Sequence, residues 1–233
     1  MKRIIKISLI LLLVGMAVIA TVPFLKEKRA EKKYENDFKK IQESVTEKKS
    51  DVNGLVKKNK DCIGYVEIPG PTISYPVMQT KDKPDFYLNH DFNRNYSFYG
   101  TPYLSAYCDV EKSDNLIIYG HNINGGKMFG ALEQYKDKEF FYKHRKIYFT
   151  TDKKREYEVF AVMCVNIHKF EYWKFVMAKD EKEYDEFVDK VEEHSSWRQE
   201  NKPKYGEQML MLSTCDNGKG DDWRIVVIGV MQQ

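Results

Sequence analysis

From residue 61 to its end, the chain breaks into short apolar runs separated by Pro, Gly and Asn. Runs of this length suit strands better than core helices. Cys62–Ile68 and Thr72–Val77 flank Pro69-Gly70-Pro71, a turn signal. Asn115–Tyr119 stops at Gly120, and Lys146–Thr150 is a further run. Over Glu156–Ile167, the residues Tyr157, Val159, Ala161, Met163, Val165 and Ile167 alternate, which predicts one apolar face. Gln208–Thr214 and Trp223–Val230 complete the set. About seven or eight strands without regular helical alternation predict a mainly β fold, a barrel or a sandwich rather than a doubly wound sheet.

Between Ile167 and Gln208 lie 40 residues, too many for a structureless loop in a compact domain. Tyr184, Phe187, Val188 and Val191 fall at i, i+3, i+4 and i+7, and Asp180 with Glu183 forms an N-cap pattern. The spacing predicts a helix of about four turns inside this crossover.

The N-terminus carries a different signal. Ile7–Leu25 is an uncharged, almost wholly apolar run of 19 residues behind Lys2, Arg3 and Lys6. As a helix it would reach about 28 Å, close to a hydrocarbon core of about 30 Å. A cleaved signal peptide is the alternative, with a cut near Val18-Ile19-Ala20, but the length favours an uncleaved anchor. The flank after the run is more basic than the flank before it, yet long domains translocate largely regardless of such charge. Residues 30–57 then place Tyr34, Phe38, Ile41 and Val45 on one stripe, an amphipathic helix expected to pack on the main domain. The expected organisation is a cytoplasmic tip and transmembrane segment over 1–25, a helical segment over 26–58 and a main domain over 59–233.

The formal net charge is +3, but residues 1–60 hold +8 and residues 61–233 hold −5. A mildly acidic domain is poorly suited to phosphate, so no nucleic-acid partner is expected.

Four cysteines are present. Cys62 and Cys164 lie within apolar strand patterns, where a buried thiol is the ordinary outcome, and Cys108 lies in a loop. Cys215 ends an apolar strand and begins the seven-residue loop Asp216–Asp222, after which Trp223-Arg224 opens the next strand. If these two strands pair antiparallel, Cys215 and Arg224 become neighbours. A guanidinium there favours a thiolate and can hold a developing oxyanion; a free core thiol near a surface Arg is the bland alternative. Among the histidines, His121 follows the strand Leu116-Ile117-Ile118-Tyr119 and enters a Gly-rich loop. That setting suits proton transfer, although taken alone a solvated loop histidine is the commoner case. A Cys and a His both at strand ends make a coherent pair for nucleophilic catalysis. No His-Glu-x-x-His, Cys-x-x-Cys or phosphate-binding Gly-rich motif occurs, so neither a metal nor another cofactor is expected.

Tyr119-Gly120-His121-Asn122, Leu212-Ser213-Thr214-Cys215, and Arg224 ahead of Ile225-Val226-Val227 together resemble the sortase signature. Asn59–Gly64, Ile68-Pro69-Gly70, Tyr75–Gln79, Tyr87-Leu88 and Gly126–Phe129 are similar to further runs of that family, in order. Helices ahead of the barrel and a long helix before the cysteine strand resemble class B, with residues 30–57 and 180–197 in those places. Tyr103-Leu104-Ser105-Ala106 departs from the family by lacking an acidic residue often found there.

The resemblance implies a closed β-barrel and a membrane-anchored cysteine transpeptidase of Gram-positive bacteria. It implies catalysis by Cys215, His121 and Arg224, with Ser213, Asn122, Tyr172 and Lys174 orienting or binding substrate. Asp216, Asp221 and Asp222 all remain open as an acidic partner of His121. The implied partners are surface proteins bearing a C-terminal sorting motif, cleaved after Thr, and an amine of a cell-wall peptide or its lipid-linked precursor. The implied location is the cell membrane, held by residues 7–25 with the catalytic domain extracellular. A hydrolytic cysteine peptidase and an inactive surface-binding module are the alternative functions.

Overall fold

The computed structural model describes residues 52–70 and 73–232, with scattered positions between 6 and 39. The chain forms two compact units, Met1–Lys48 and Lys49–Gln233. In the first, the described positions are helical. Tyr34, Phe38, Ile41 and Val45 of the expected amphipathic stripe lie outside the described residues, as does most of Ile7–Leu25.

The expected anchor is corrected here. Among the described residues no helix is long and apolar enough to cross a membrane. A span takes about 20 apolar residues, and the longest continuously described helix, Glu181–His194, has 14 and is rich in charge. The expectation of a cell-membrane protein, held by a single span over residues 7–25 with its catalytic domain outside, is withdrawn with it.

The second unit opens on a short helix α1 (Val52–Lys58), which buries Val52 and Leu55. Strands β1 (Cys62–Ile68) and β2 (Ile73–Met78) follow as an antiparallel pair closing at Ile68 opposite Ile73. Gly70 in their turn has φ +101°, a backbone region that favours glycine. Next come β3 (Tyr103–Leu104), β4 (Asn115–Tyr119) and a small hairpin of β5 (Asn122–Ile123) with β6 (Lys127–Met128). A 3₁₀ helix (Phe129–Lys136), α2 (Lys138–Lys143), β7 (Lys146–Thr150) and β8 (Lys154–Asn166) precede the crossover. The crossover contains α3 (Glu181–His194) and β9 (Ser195–Arg198), and the chain ends on β10 (Met209–Cys215) and β11 (Trp223–Met231).

Among the described residues the strands run β11-β10-β4-β3-β2-β1-β7-β8, and β8 pairs back onto β11. Eight strands thus form a closed barrel, which leaves no free edge in the ring; β9 attaches to β8. The barrel expected from the sequence is therefore present. The helix inside the crossover is present too: Asp180 accepts a hydrogen bond from the Glu183 N–H, and Tyr184, Phe187, Val188 and Val191 are buried.

The single apolar face expected on β8 is not continuous. Ala161 pairs with Ile228 and Val159 with Gly229, so two residues of β8 oppose one step of β11. This bulge at Phe160 turns Tyr157 and Val159 to the face opposite Ala161, Met163 and Val165. The strands β3 and β9 escape the sequence pattern because two and four residues are too few to show alternation.

Candidate active site

β10 lies between β11, antiparallel, and β4, parallel. On the β11 side the pairing ends with Cys215 opposite Arg224. The neighbourhood expected from the seven-residue loop is therefore observed. On the β4 side Ser213 pairs with Tyr119. The two chains stay joined beyond that pair: the Gly120 N–H donates to the Ser213 carbonyl at 3.1 Å, and the Thr214 hydroxyl donates to the Gly120 carbonyl at 2.7 Å. Continuing this register by two residues sets His121 level with Cys215. Gly120 lets the Phe129 ring pack against the backbone here, since a Cβ there would meet that ring at 2.8 Å.

His121 is half-buried. Its Nε2 lies 2.8 Å from the carbonyl oxygen of Leu88. A carbonyl only accepts, so Nε2 carries a proton and Nδ1 remains for proton exchange. The Phe98 ring lies parallel to the imidazole, with centroids 6.4 Å apart. None of Asp216, Asp221 and Asp222 bonds to His121. The Asp216 carboxylate accepts from Lys136 Nζ at 2.7 Å, Asp222 lies 3.5 Å from His168, and Asp221 offers its carbonyl to Arg224. The orienting group that the sequence left open is thus a backbone carbonyl, which no side-chain pattern announces.

Arg224 is half-buried, and its Nη1 donates to the carbonyls of Asp221 and Trp223. These bonds hold the guanidinium from its own loop. Nε and Nη2 have no protein partner among the described residues, so they remain as donors for an oxygen near Cys215.

Of the residues expected to orient or bind substrate, Asn122 donates from Nδ2 to the Cys215 carbonyl at 2.8 Å and to Glu133 Oε1 at 2.7 Å. Ser213 shares a 2.7 Å hydrogen bond with the Tyr172 hydroxyl. Tyr172 is buried, so it is not open to a peptide and meets Ser213 from within the fold. Burial pushes its phenol up to about 12, against a smaller lowering by the Ser213 bond. Lys174 is exposed and pairs with Glu171 at 2.7 Å.

A cleft of about 750 Å³ adjoins these residues. It is lined by Asp85, Tyr103, Ser105, Tyr107 and Tyr119 on the barrel side and by Trp173, Lys174 and Val176 from the crossover. Tyr119 is the register partner of Ser213, which places the cleft beside the end of β10. A larger cleft of about 1650 Å³ is lined by Arg198, Lys202, Val230 and Met231 among others. It lies at the far end of β11, about 20 Å from Arg224 at ~3.3 Å per residue, and does not meet the candidate residues.

The other cysteines are poor nucleophiles. Burial pushes the Cys62 thiol up to about 12 and raises Cys108 and Cys164. All four cysteines are free.

The sequence matches the Sortase domain family over residues 66–232. The chain belongs to the sortase family. It is similar to sortase B of Staphylococcus aureus, 28% identical over 239 residues that cover 98% of this chain and 96% of the relative. Among solved structures, a Staphylococcus aureus sortase B–substrate complex superposes with a TM-score of 0.77 at 26% identity, covering 90% of this chain and 99% of that one. A sortase B complexed with triglycine gives 0.75 at 26% identity, covering 89% and 99%. The protein is a class B sortase, a cysteine transpeptidase on a closed β-barrel.

Proposed function

We propose that this sortase cleaves protein substrates after the Thr of a C-terminal sorting motif and joins the new acyl end to a peptide amine. Residues 59–233 form the catalytic unit in this reading. Cys215, as thiolate, attacks the Thr carbonyl carbon, and Arg224 stabilises the oxyanion that forms. The C–N bond breaks, His121 gives the leaving amine its proton, and a thioester remains on Cys215. An incoming amine attacks the thioester, the C–S bond breaks, and His121 takes the amine's proton as the thiolate is regenerated. Ser213 and Asn122 orient the strand end, and Lys174 contacts the peptide from the crossover.

The observation that carries this reading is the register of β10, which pairs Cys215 with Arg224 on one side and Ser213 with Tyr119 on the other, so that carrying the second register two residues on brings His121 level with Cys215. The substrate and triglycine complexes of the similar sortase B structures support a peptide substrate and a glycine-type amine. The test incubates a panel of sorting-motif peptides with and without triglycine. The intact chain should release the C-terminal fragment and incorporate triglycine, and Cys215→Ala should do neither. Undiminished cleavage by Cys215→Ala would overturn the reading. Cleavage that never consumes triglycine would favour a hydrolytic peptidase.

A further inference from the structure

A buried carboxylate follows the nucleophile in the chain. Asp216 follows Cys215, and its side chain is fully buried. Oδ1 accepts from Lys136 Nζ at 2.7 Å and from the Gly218 N–H at 3.2 Å. Oδ2 is buried without a hydrogen-bond partner among the described residues. A carboxylate in that position is costly unless a cation meets it.

Lys136 is that cation, and it reaches further. The same ammonium pairs with Glu133 at 2.6 Å. Glu133 accepts from Asn122, whose Nδ2 also holds the Cys215 carbonyl. Asn217 closes the circuit by donating to the Asn122 carbonyl at 3.1 Å. Three segments are tied in this way: the end of β10, the loop that begins at His121, and the helix Phe129–Lys136. Burial lowers the proton affinity of Lys136, but its bonds to Asp216 and Glu133 outweigh this and raise it overall.

We propose that Lys136 is a positioning residue of the transpeptidase, balancing the buried charge of Asp216, the residue after Cys215, and holding the cysteine's strand end to the His121 loop. This rests on Cys215 being the nucleophile. With Glu133, Lys136 and Asp216 ionised, the cluster carries one net negative charge. Removing Lys136 leaves two negative charges in the network that ends on the Cys215 carbonyl, whose thiol must itself become an anion. Removing the Asp216 charge leaves none. The two changes therefore move thiolate formation in opposite directions.

Other charged and titratable groups around the cluster have partners or are held neutral. Lys219, on the loop after Asp216, lies over the Trp223 ring, and Lys138 of α2 lies over the Trp197 ring. Cys164 of β8, which senses Asp216, Lys219 and Lys136, is kept protonated by burial. From β9, Trp197 Nε1 donates to the Lys136 carbonyl at 3.0 Å, an uncharged tie that every Lys136 variant keeps.

The experiment follows Cys215 alkylation by iodoacetamide against pH in the full chain, mapped by mass spectrometry, together with kcat and KM for a cleaved peptide. Lys136→Met should move the alkylation limb up by about one pH unit and lower kcat about tenfold near neutral pH, with little change in KM. Asp216→Asn should move the limb down. The double variant restores the wild-type charge and should return the limb to near its original position, and Lys136→Arg should retain it. Limbs that stay in place, or that shift the same way in both single variants as a packing lesion would produce, overturn the proposal. Failure of the underlying reading shows separately, as peptide cleavage that survives Cys215→Ala.

Discussion

Arg224 faces Cys215 because the loop Asp216–Asp222 joins two antiparallel strands, so the end of one meets the start of the next. That neighbourhood is legible in the sequence, since it depends only on the loop length and on where two apolar runs stop. The partner of His121 is not legible: it is the carbonyl of Leu88, 33 residues away, and every residue carries a carbonyl. The Lys136–Asp216 pair is equally hidden, because 80 residues separate its members. For Arg224 the geometry gives a direct expectation. Its Nη1 is spent on the carbonyls of Asp221 and Trp223, and the remaining donors are those of a planar fork. A lysine has one ammonium to divide between the same carbonyls and the reacting oxygen. Arg224→Lys should therefore lower kcat by about 10²-fold or more, while circular dichroism and Tm stay near wild type. Near-normal turnover in this variant would show that charge alone suffices.

At the scale of elements, the crossover divides into a part that braces and a part that lines the 750 Å³ cleft. The bracing part was readable from its period: α3 buries Tyr184, Phe187, Val188 and Val191 as the spacing required. Phe187 stacks on Phe175 with centroids 3.9 Å apart and lies 5.6 Å from Phe170, so the helix holds the preceding segment through an aromatic cluster. The orientation of that segment was not readable. Tyr172, Trp173 and Lys174 form one 3₁₀ turn in which adjacent side chains point apart. Tyr172 turns inward to Ser213, while Trp173 and Lys174 line the 750 Å³ cleft. Substitutions should separate accordingly. Phe187→Ala should cost about 3–5 kcal/mol of stability and leave the ranking of sorting-motif peptides unchanged. Lys174→Ala should leave Tm unchanged and alter the ratio of kcat/KM between peptides by about tenfold. A uniform loss across the panel for Lys174→Ala would assign specificity to the barrel side of the cleft.

Over the whole molecule, the part of the architecture that decides the site is the parallel pairing of β4 with β10. Its strands lie 94 residues apart at the partners Leu116 and Leu210, and no local pattern can specify such a long-range choice. Strand existence was legible because the segments are short apolar runs bounded by turn residues, as in β4 and β10, which are buried along nearly their whole length; barrel closure by β8 on β11 emerges only when all segments compete for partners. Closure also buries an unusual set of phenols, which gives the fold a distinctive alkaline limit. Tyr135 and Tyr157 are fully buried, and burial raises both, as it does Tyr103. Tyr65 and Tyr172 are pushed up to about 12 from 10.0 by burial, with hydrogen bonds from Ser74 and Ser213 offsetting part of the rise. The charged form is the one the fold disfavours, so these groups contribute no pH dependence below the unfolded value. Above about pH 10 the unfolded chain loses tyrosine protons that the folded chain retains, and stability falls. Each such tyrosine steepens the loss by about 1.4 kcal/mol per pH unit until the folded value is reached. Urea unfolding at a series of pH values should therefore give a midpoint that is steady between about pH 7 and 8, falls gently from about pH 9 as the unfolded chain ionises the thiols of Cys62, Cys108 and Cys164 that burial raises in the fold, and drops steeply above pH 10, with tyrosinate absorbance rising together with unfolding. Tyrosinate absorbance that reaches its full value in the folded protein at an unchanged midpoint would show that these phenols are open to hydroxide and that the barrel does not exclude them from water.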